Sequence, residues 1–203
     1  MENVTTKRRF RLTIGTKIFF GFLSLIFLAV IVVAVIFWKG SVIDNSTKFS
    51  SGNARPSKEA IGEFVLMVTQ SKMLITNWVY LQTNTDDKKT LDQIIDYDYP
   101  ALKERIGKLT TNWGEDQRKK MDTVFTNFES MIKVAKENVK DKLISFENYE
   151  DPLTKLLAED AIESQIIPQS ADLIKRLNAI ATIQNSITEE SDKEITASTG
   201  DLY

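Results

Sequence analysis

The hydropathy pattern along the chain has one unbroken stretch, followed by a repeating one. Ile18 to Trp38 carries no charge over 21 residues, and only Gly21 and Ser24 interrupt its apolar run. At about 1.5 Å rise per residue, a helix of that length matches a hydrocarbon core about 30 Å thick. Backbone groups in lipid must pair within their own segment, so the stretch is expected to be helical despite its β-branched residues. A buried core helix would show a polar face. A cleaved signal peptide would have a shorter apolar core and a small-x-small site, whereas this run ends Phe37-Trp38-Lys39. An uncleaved anchor over 18–38 is the expectation.

Residues 39–56 are small and polar, with a thin stripe of Ile43, Thr47, Ser50 and Ala54. They read as a membrane-proximal stalk, either a continuation of the spanning helix or a linker. From Ser57 the helical period takes over. A first helix to about Asn84 carries Ile61, Val65, Val68, Ile75, Trp78 and Gln82, with Ser71 or Lys72 as the polar step. Thr85-Asp86-Asp87 suits a cap for a second helix, which carries Leu91, Ile94, Ile95, Leu102, Ile106, Leu109 and Trp113. Gly114 suits a left-handed stop. A third helix from Glu115 to about Glu147 carries Met121, Val124, Phe125, Phe128, Ile132, Ala135, Val139 and Leu143. Asp151-Pro152 opens a fourth with a carboxylate cap and a proline at the first helical position. Its apolar positions are Leu153, Leu156, Leu157, Ile167, Ala171, Ile174, Leu177, Ala181 and Ile187.

Short connections between amphipathic helices predict an antiparallel, up-and-down bundle. The fold expected is therefore all-α: one N-terminal transmembrane helix, then a four-helix bundle over 57–200 with longer first and last helices. The last helix returns towards the membrane as the chain reaches Tyr203, so a second span and a longer protein are expected.

Charge orients the picture. Residues 1–17 hold Lys7, Arg8, Arg9, Arg11 and Lys17 against Glu2, a net of +4. Residues 39–203 hold the remaining 21 basic and 27 acidic residues, a net of −6. Basic flanks stay in the cytoplasm, which makes 1–17 a cytoplasmic tail and places 39–203 outside the cytoplasm, with the span in the inner membrane. The outer segment has no basic stripe, so nucleic acid is not an expected partner. The chain has no cysteine and no histidine. Disulfides, thiolate nucleophiles, and the commonest general base and metal ligand are excluded. No catalytic residue, cofactor or metal site is expected.

Two prolines fall inside predicted helices. Pro100 and Pro168 each remove a backbone hydrogen bond, and counting along the helices places them at a similar height. Nearby stand Gln70 and Ser71, Tyr97, Asp98 and Tyr99, Lys133, Gln165 and Gln169. If Asp98 lies on the apolar seam, separated helices and inward polar groups make a pocket for a small molecule. The alternative is that the prolines are packing irregularities and Asp98 faces solvent. Trp78 and Trp113 read as core. Asp86-Asp87 and Glu150-Asp151 read as helix-start carboxylates.

The run Leu12-Thr-Ile-Gly-Thr-Lys-Ile-Phe-Phe-Gly-Phe22, followed by a span and an outer helical region, resembles the N-terminal sensor region of bacterial chemoreceptors and transmembrane sensor kinases. Ser71–Val79, Tyr99-Pro-Ala-Leu-Lys103 and Ser145–Pro152 are similar to the sensor region of membrane receptors in Bacteroidetes-type bacteria. The resemblance implies a HAMP-type linker after a second span. Beyond it would follow a histidine kinase or a serine phosphatase of the sporulation IIE type. It implies a binding module without catalysis of its own, with a small-molecule or protein ligand. A lone bundle with two membrane-directed ends can signal by changing contacts with a twin, so a parallel homodimer paired mainly through helix 1 is expected. A membrane-anchored adaptor that binds a partner protein is the rival expectation. In the receptor reading, helix 4 would slide or rotate against helix 1 by about 1–2 Å.

Overall fold

The structure is a computed structural model and describes residues 14–81 and 84–200. The tail before Ile14, Gln82 and Tyr203 lie outside the described residues. Those described are helical with no strand, and they form four continuous helical rods. The first runs from α1 (Ile14–Phe49) through a π-turn (Ser50–Ala54) into α2 (Arg55–Tyr80). The second joins α3 (Thr85–Gln93), a π-turn (Ile94–Asp98) and α4 (Tyr99–Thr110). The third is α5 (Glu115–Ala135) with a terminal π-turn (Lys136–Lys140). After the short α6 (Phe146–Glu150), the fourth joins α7 (Pro152–Ala161), a π-turn (Ile162–Ile166) and α8 (Ile167–Gly200). Ile18–Val35 within α1 has a mean hydropathy of 3.1 and no buried residues, and this helix is long and apolar enough to cross a membrane.

Three of the four π-turns lie just upstream of a proline. Pro56, Pro100 and Pro168 each stand two residues after the last residue of a π-turn. A proline inside a helix lacks the N–H its turn needs, and its ring meets the carbonyl four residues back. Widening the turn just upstream relieves both problems. The Tyr99 N–H donates five residues back to Ile94, and the Ile167 N–H likewise to Ile162. The expected interruptions at Pro100 and Pro168 thus take the form of a wider turn inside an unbroken rod. The fourth proline, Pro152, opens α7 behind Asp151, whose carboxylate accepts from the N–H groups of Leu153 and Thr154.

Several boundaries differ from the sequence reading. α2 ends at Tyr80, and the cap of α3 is Asn84, whose side chain accepts from the Asp87 N–H at 3.2 Å. α4 stops at Thr110, and Gly114 is the extended N-cap of α5 (φ −62°, ψ 152°), not a left-handed stop. The third rod ends at Lys140. Leu143 stays fully buried in the turn that follows, where its carbonyl accepts from the Trp78 indole at 3.4 Å. Ser145 and Asn148 then form a capping box that starts α6.

α2 packs against α8, α3 and α4, and α5 packs against α8. Ile61, Phe64, Val68 and Ile75 of α2 meet Leu91, Leu102 and Ile106, Met121, Val124 and Phe128, and Leu173 and Leu177 in one core. Trp78 and Trp113 belong to it, as expected. At the end nearest the span the core becomes polar. The buried Asn53 amide donates to the Leu109 carbonyl at 2.9 Å, the Trp113 indole donates to Ser57 at 3.1 Å, and buried Gln184 donates to Gln117 at 3.0 Å.

The fourth rod turns a different face inward from the one its large residues suggest. Leu153, Leu156, Leu157 and Ile167 are exposed, while Ala158, Ala161, Ile162 and Ile166 are buried. The stripe of Ser170, Leu173, Leu177, Ile180 and Gln184 is regular and long. It sets the phase of the whole rod, and the alanines of α7 fall in line with it.

Candidate functional site

Pro100 and Pro168 lie at one height, beside the same turn of α5. Pro100 faces Phe128, Glu129 and Ile132, and Pro168 faces Asn127 and Ser130. α5 stands between them, and the core at this level is filled. Phe128 sits edge-on to Phe64 with ring centroids 5.3 Å apart and lies 4.7 Å from Tyr99, and Met131 is fully buried. The expected inward pocket is therefore replaced by three surface grooves around a solid centre.

The candidate residues distribute among them. Gln70 and Asp98 line a groove of about 410 Å³ between α2 and α4. Gln169 lines a second, also of about 410 Å³, between α5 and α8, with Asn127, Ser130 and Asp172. Tyr99 lines a smaller third groove between α4 and α5. Tyr97 is exposed, Gln165 is half-buried, and exposed Lys133 pairs with Glu137 at 3.9 Å. Ser71 is fully buried, and among the described residues its hydroxyl has no hydrogen-bond partner.

Asp98 is not on the apolar seam. It is exposed, and Gln93 Nε2 donates to it at 3.1 Å. The π-turn is the reason. A regular helix would place Asp98 four residues after Ile94 on the same face, but the wider turn brings Tyr99 under Ile94, and Tyr99 is buried instead.

Tyr99 carries a polar network out of the core. Its hydroxyl donates to Glu129 Oε1 at 2.8 Å, and Lys103 donates to the same oxygen. Burial, and then the Glu129 carboxylate, push the Tyr99 hydroxyl above its ordinary range. The hydrogen bonds from Lys103 and then Tyr99 hold Glu129 below the usual carboxylate range. A carboxylate whose folded pKa is depressed contributes stability that is present above its unfolded pKa and is lost as pH falls through the folded value. Stability should therefore decline below about pH 4.3. Tyr99→Phe should cost about 1 kcal/mol at pH 7 and flatten that decline. Urea unfolding midpoints of both proteins from pH 3 to 7 check it, and parallel pH profiles would dismiss the network.

Three partners escaped the sequence reading. Glu129, Arg105 and Glu63 are exposed charges on separate helices, and no spacing rule pairs Arg105 with Glu63 or Lys103 with Glu129 across rods. At the distal end Lys88 lies 5.0 Å from the Trp78 ring centroid and 5.1 Å from that of Tyr149. The Tyr149 hydroxyl donates to the Trp78 carbonyl at 2.7 Å. This cluster ties α2, α3 and α6 together. Asp87, which accepts from Asn77 at 2.6 Å, and the capping Asp151 have structural partners.

Comparison with family models, curated proteins and solved structures finds no match for this chain.

Proposed function

We propose that this chain is the extracytoplasmic input region of a membrane receptor. In this reading its N-terminus is cytoplasmic and Ile18–Trp38 spans the inner membrane. The four rods outside form an antiparallel, up-and-down bundle. The bundle passes helix movement, induced by a small molecule or a partner protein, to a cytoplasmic module beyond this chain. One observation carries the reading: the apolar span and the core-packed α2 belong to a single unbroken rod, from Ile14 to Tyr80. A rigid rod that is part of both core and span transmits a displacement of either.

Further pairings support the bundle. Ser57 meets Trp113, Glu63 meets Arg105 and Asn77 meets Asp87, so one index rises as the other falls. Gln117 meets Gln184, and Arg55 meets Asp192 at 3.2 Å, which brings the fourth rod back to the start of α2. A parallel homodimer through the first rod completes the proposal, since two anchored copies meet at high effective concentration. The adaptor reading has its own support in the exposed Ile144, Phe146, Leu153, Leu156 and Leu157 at the distal end, an apolar surface of the kind partner proteins cover.

Orientation is testable because the chain has no cysteine of its own. Ile144→Cys, at an exposed loop position, should react with an impermeant thiol reagent on cells whose outer membrane alone is opened. Labelling that needs lysis of the inner membrane would reverse the topology and end the receptor reading.

A further inference from the structure

The groove between α2 and α4 differs from its two neighbours in one respect. In the α5–α8 groove, Asp172 is already paired with Arg176. In the α4–α5 groove, Glu129 is already bonded by Lys103 and Tyr99. Asp98 in the α2–α4 groove has a single hydrogen bond from a neutral amide, and among the described residues no cation pairs with it. Gln70 stands at the same end, and among the described residues its side chain makes no hydrogen bond, so its carbonyl is an available acceptor. At the other end Glu63 and Arg105 neutralise each other. Seven residues separate Glu63 from Gln70 and Asp98 from Arg105, so the two ends lie about 10 Å apart. Between them the groove has a floor of buried Met67, Ile94 and Leu102, and Leu66 stands exposed beside it.

We propose that this groove binds a small organic cation, with an ammonium head at Asp98 and Gln70 and an apolar body over Met67, Ile94 and Leu102. The chemistry follows from what is left unmatched. An anion would meet Asp98 with nothing to offset the repulsion, because Arg105 is held by Glu63. A neutral apolar body would leave the charge of the carboxylate met only by the Gln93 amide, and the Gln70 carbonyl without a donor. An ammonium gives both acceptors a donor, and a cation beside a carboxylate gains more than a neutral hydrogen bond does. A volume of about 410 Å³ is ample for such a molecule. The π-turn makes the site, because it turns Asp98 out of the seam and into the groove. As the ligand site of the input region, this assignment rests on the receptor reading, and its test reads binding alone.

The probes are hexylammonium, hexanol and hexanoate, which share one apolar body and differ in head charge. The full chain, methyl-labelled at methionine and held in detergent micelles, is titrated with each. The expected result is a saturable shift of the Met67 methyl signal with hexylammonium alone. Asp98→Asn, an exposed substitution that leaves the core intact, should weaken that binding about tenfold. An equal response to hexanol, or an Asp98→Asn protein that binds as the wild type does, would overturn the assignment. A chain that binds hexylammonium yet fails the labelling test at residue 144 would keep the groove and lose the receptor. The opposite pair of results would keep the receptor and lose the groove.

Discussion

Phe128→Ala should lower the free energy of unfolding by about 3–5 kcal/mol. Phe128 is fully buried, with rings of Phe64 from α2 and Tyr99 from α4 on it at 5.3 and 4.7 Å. Removing the ring loses the transfer free energy of its carbons and leaves a cavity. Its walls include the Phe64 and Tyr99 rings, held on separate helices that cannot both collapse into it. A marginal domain holds only about 5–15 kcal/mol in total, so the loss is a large share of the whole. Denaturant unfolding of the full chain in detergent, followed by the helical signal, measures it. A cost below about 1 kcal/mol would mean that this level is loosely packed, and the solid centre described above would be wrong.

A second large effect separates the π-turns from the ordinary helix. Deleting Asp96 together with Pro100→Ala should leave a cooperatively folded protein. The deletion shortens the Ile94–Tyr99 spacing to that of a regular turn, and the substitution removes the ring that required the wide one. Asp96 itself is exposed and outside the core. Deleting exposed Asp122 from α5 should instead abolish cooperative unfolding. It would rotate Met121 and everything before it by about 100° relative to Val124, Phe125 and Phe128, and α5 has no π-turn there to absorb the slip. Both variants remove one exposed aspartate, so charge does not distinguish them. Equal damage from the two deletions would mean that the wide turn at Ile94–Asp98 is not an accommodation of Pro100.

Helices were legible in this sequence wherever the apolar period is regular. Met121, Val124, Phe125, Phe128, Ala135 and Val139 read correctly as one face of the third rod, and Leu91, Leu102 and Ile106 as that of the second rod. The period failed at the π-turns, because a rule of 3.6 residues per turn has no place for a turn that takes one more. That single misfit put Asp98 on the seam and Tyr99 off it. Proline is the signal that was available: each of the three in-rod prolines has a wide turn directly upstream. The face of α7 was missed for another reason. Large side chains at 153, 156 and 157 outweigh alanines in any pattern count, yet the phase of this rod is set by the longer stripe in α8. The shared height of Pro100 and Pro168 was readable by counting residues. That α5 stands between them, with Phe128 and Met131 closing the centre, needed three dimensions.

The proposed transmission requires the first rod to be one rigid piece from the span to the core, across the π-turn at Ser50–Ala54. Spin labels at Val35 and Lys58, with the chain in lipid nanodiscs, measure this by dipolar distance. Twenty-three residues of continuous helix predict one narrow distribution near about 35 Å. A broad distribution, or one centred well below that length, would show a hinge between span and core and would contradict the account.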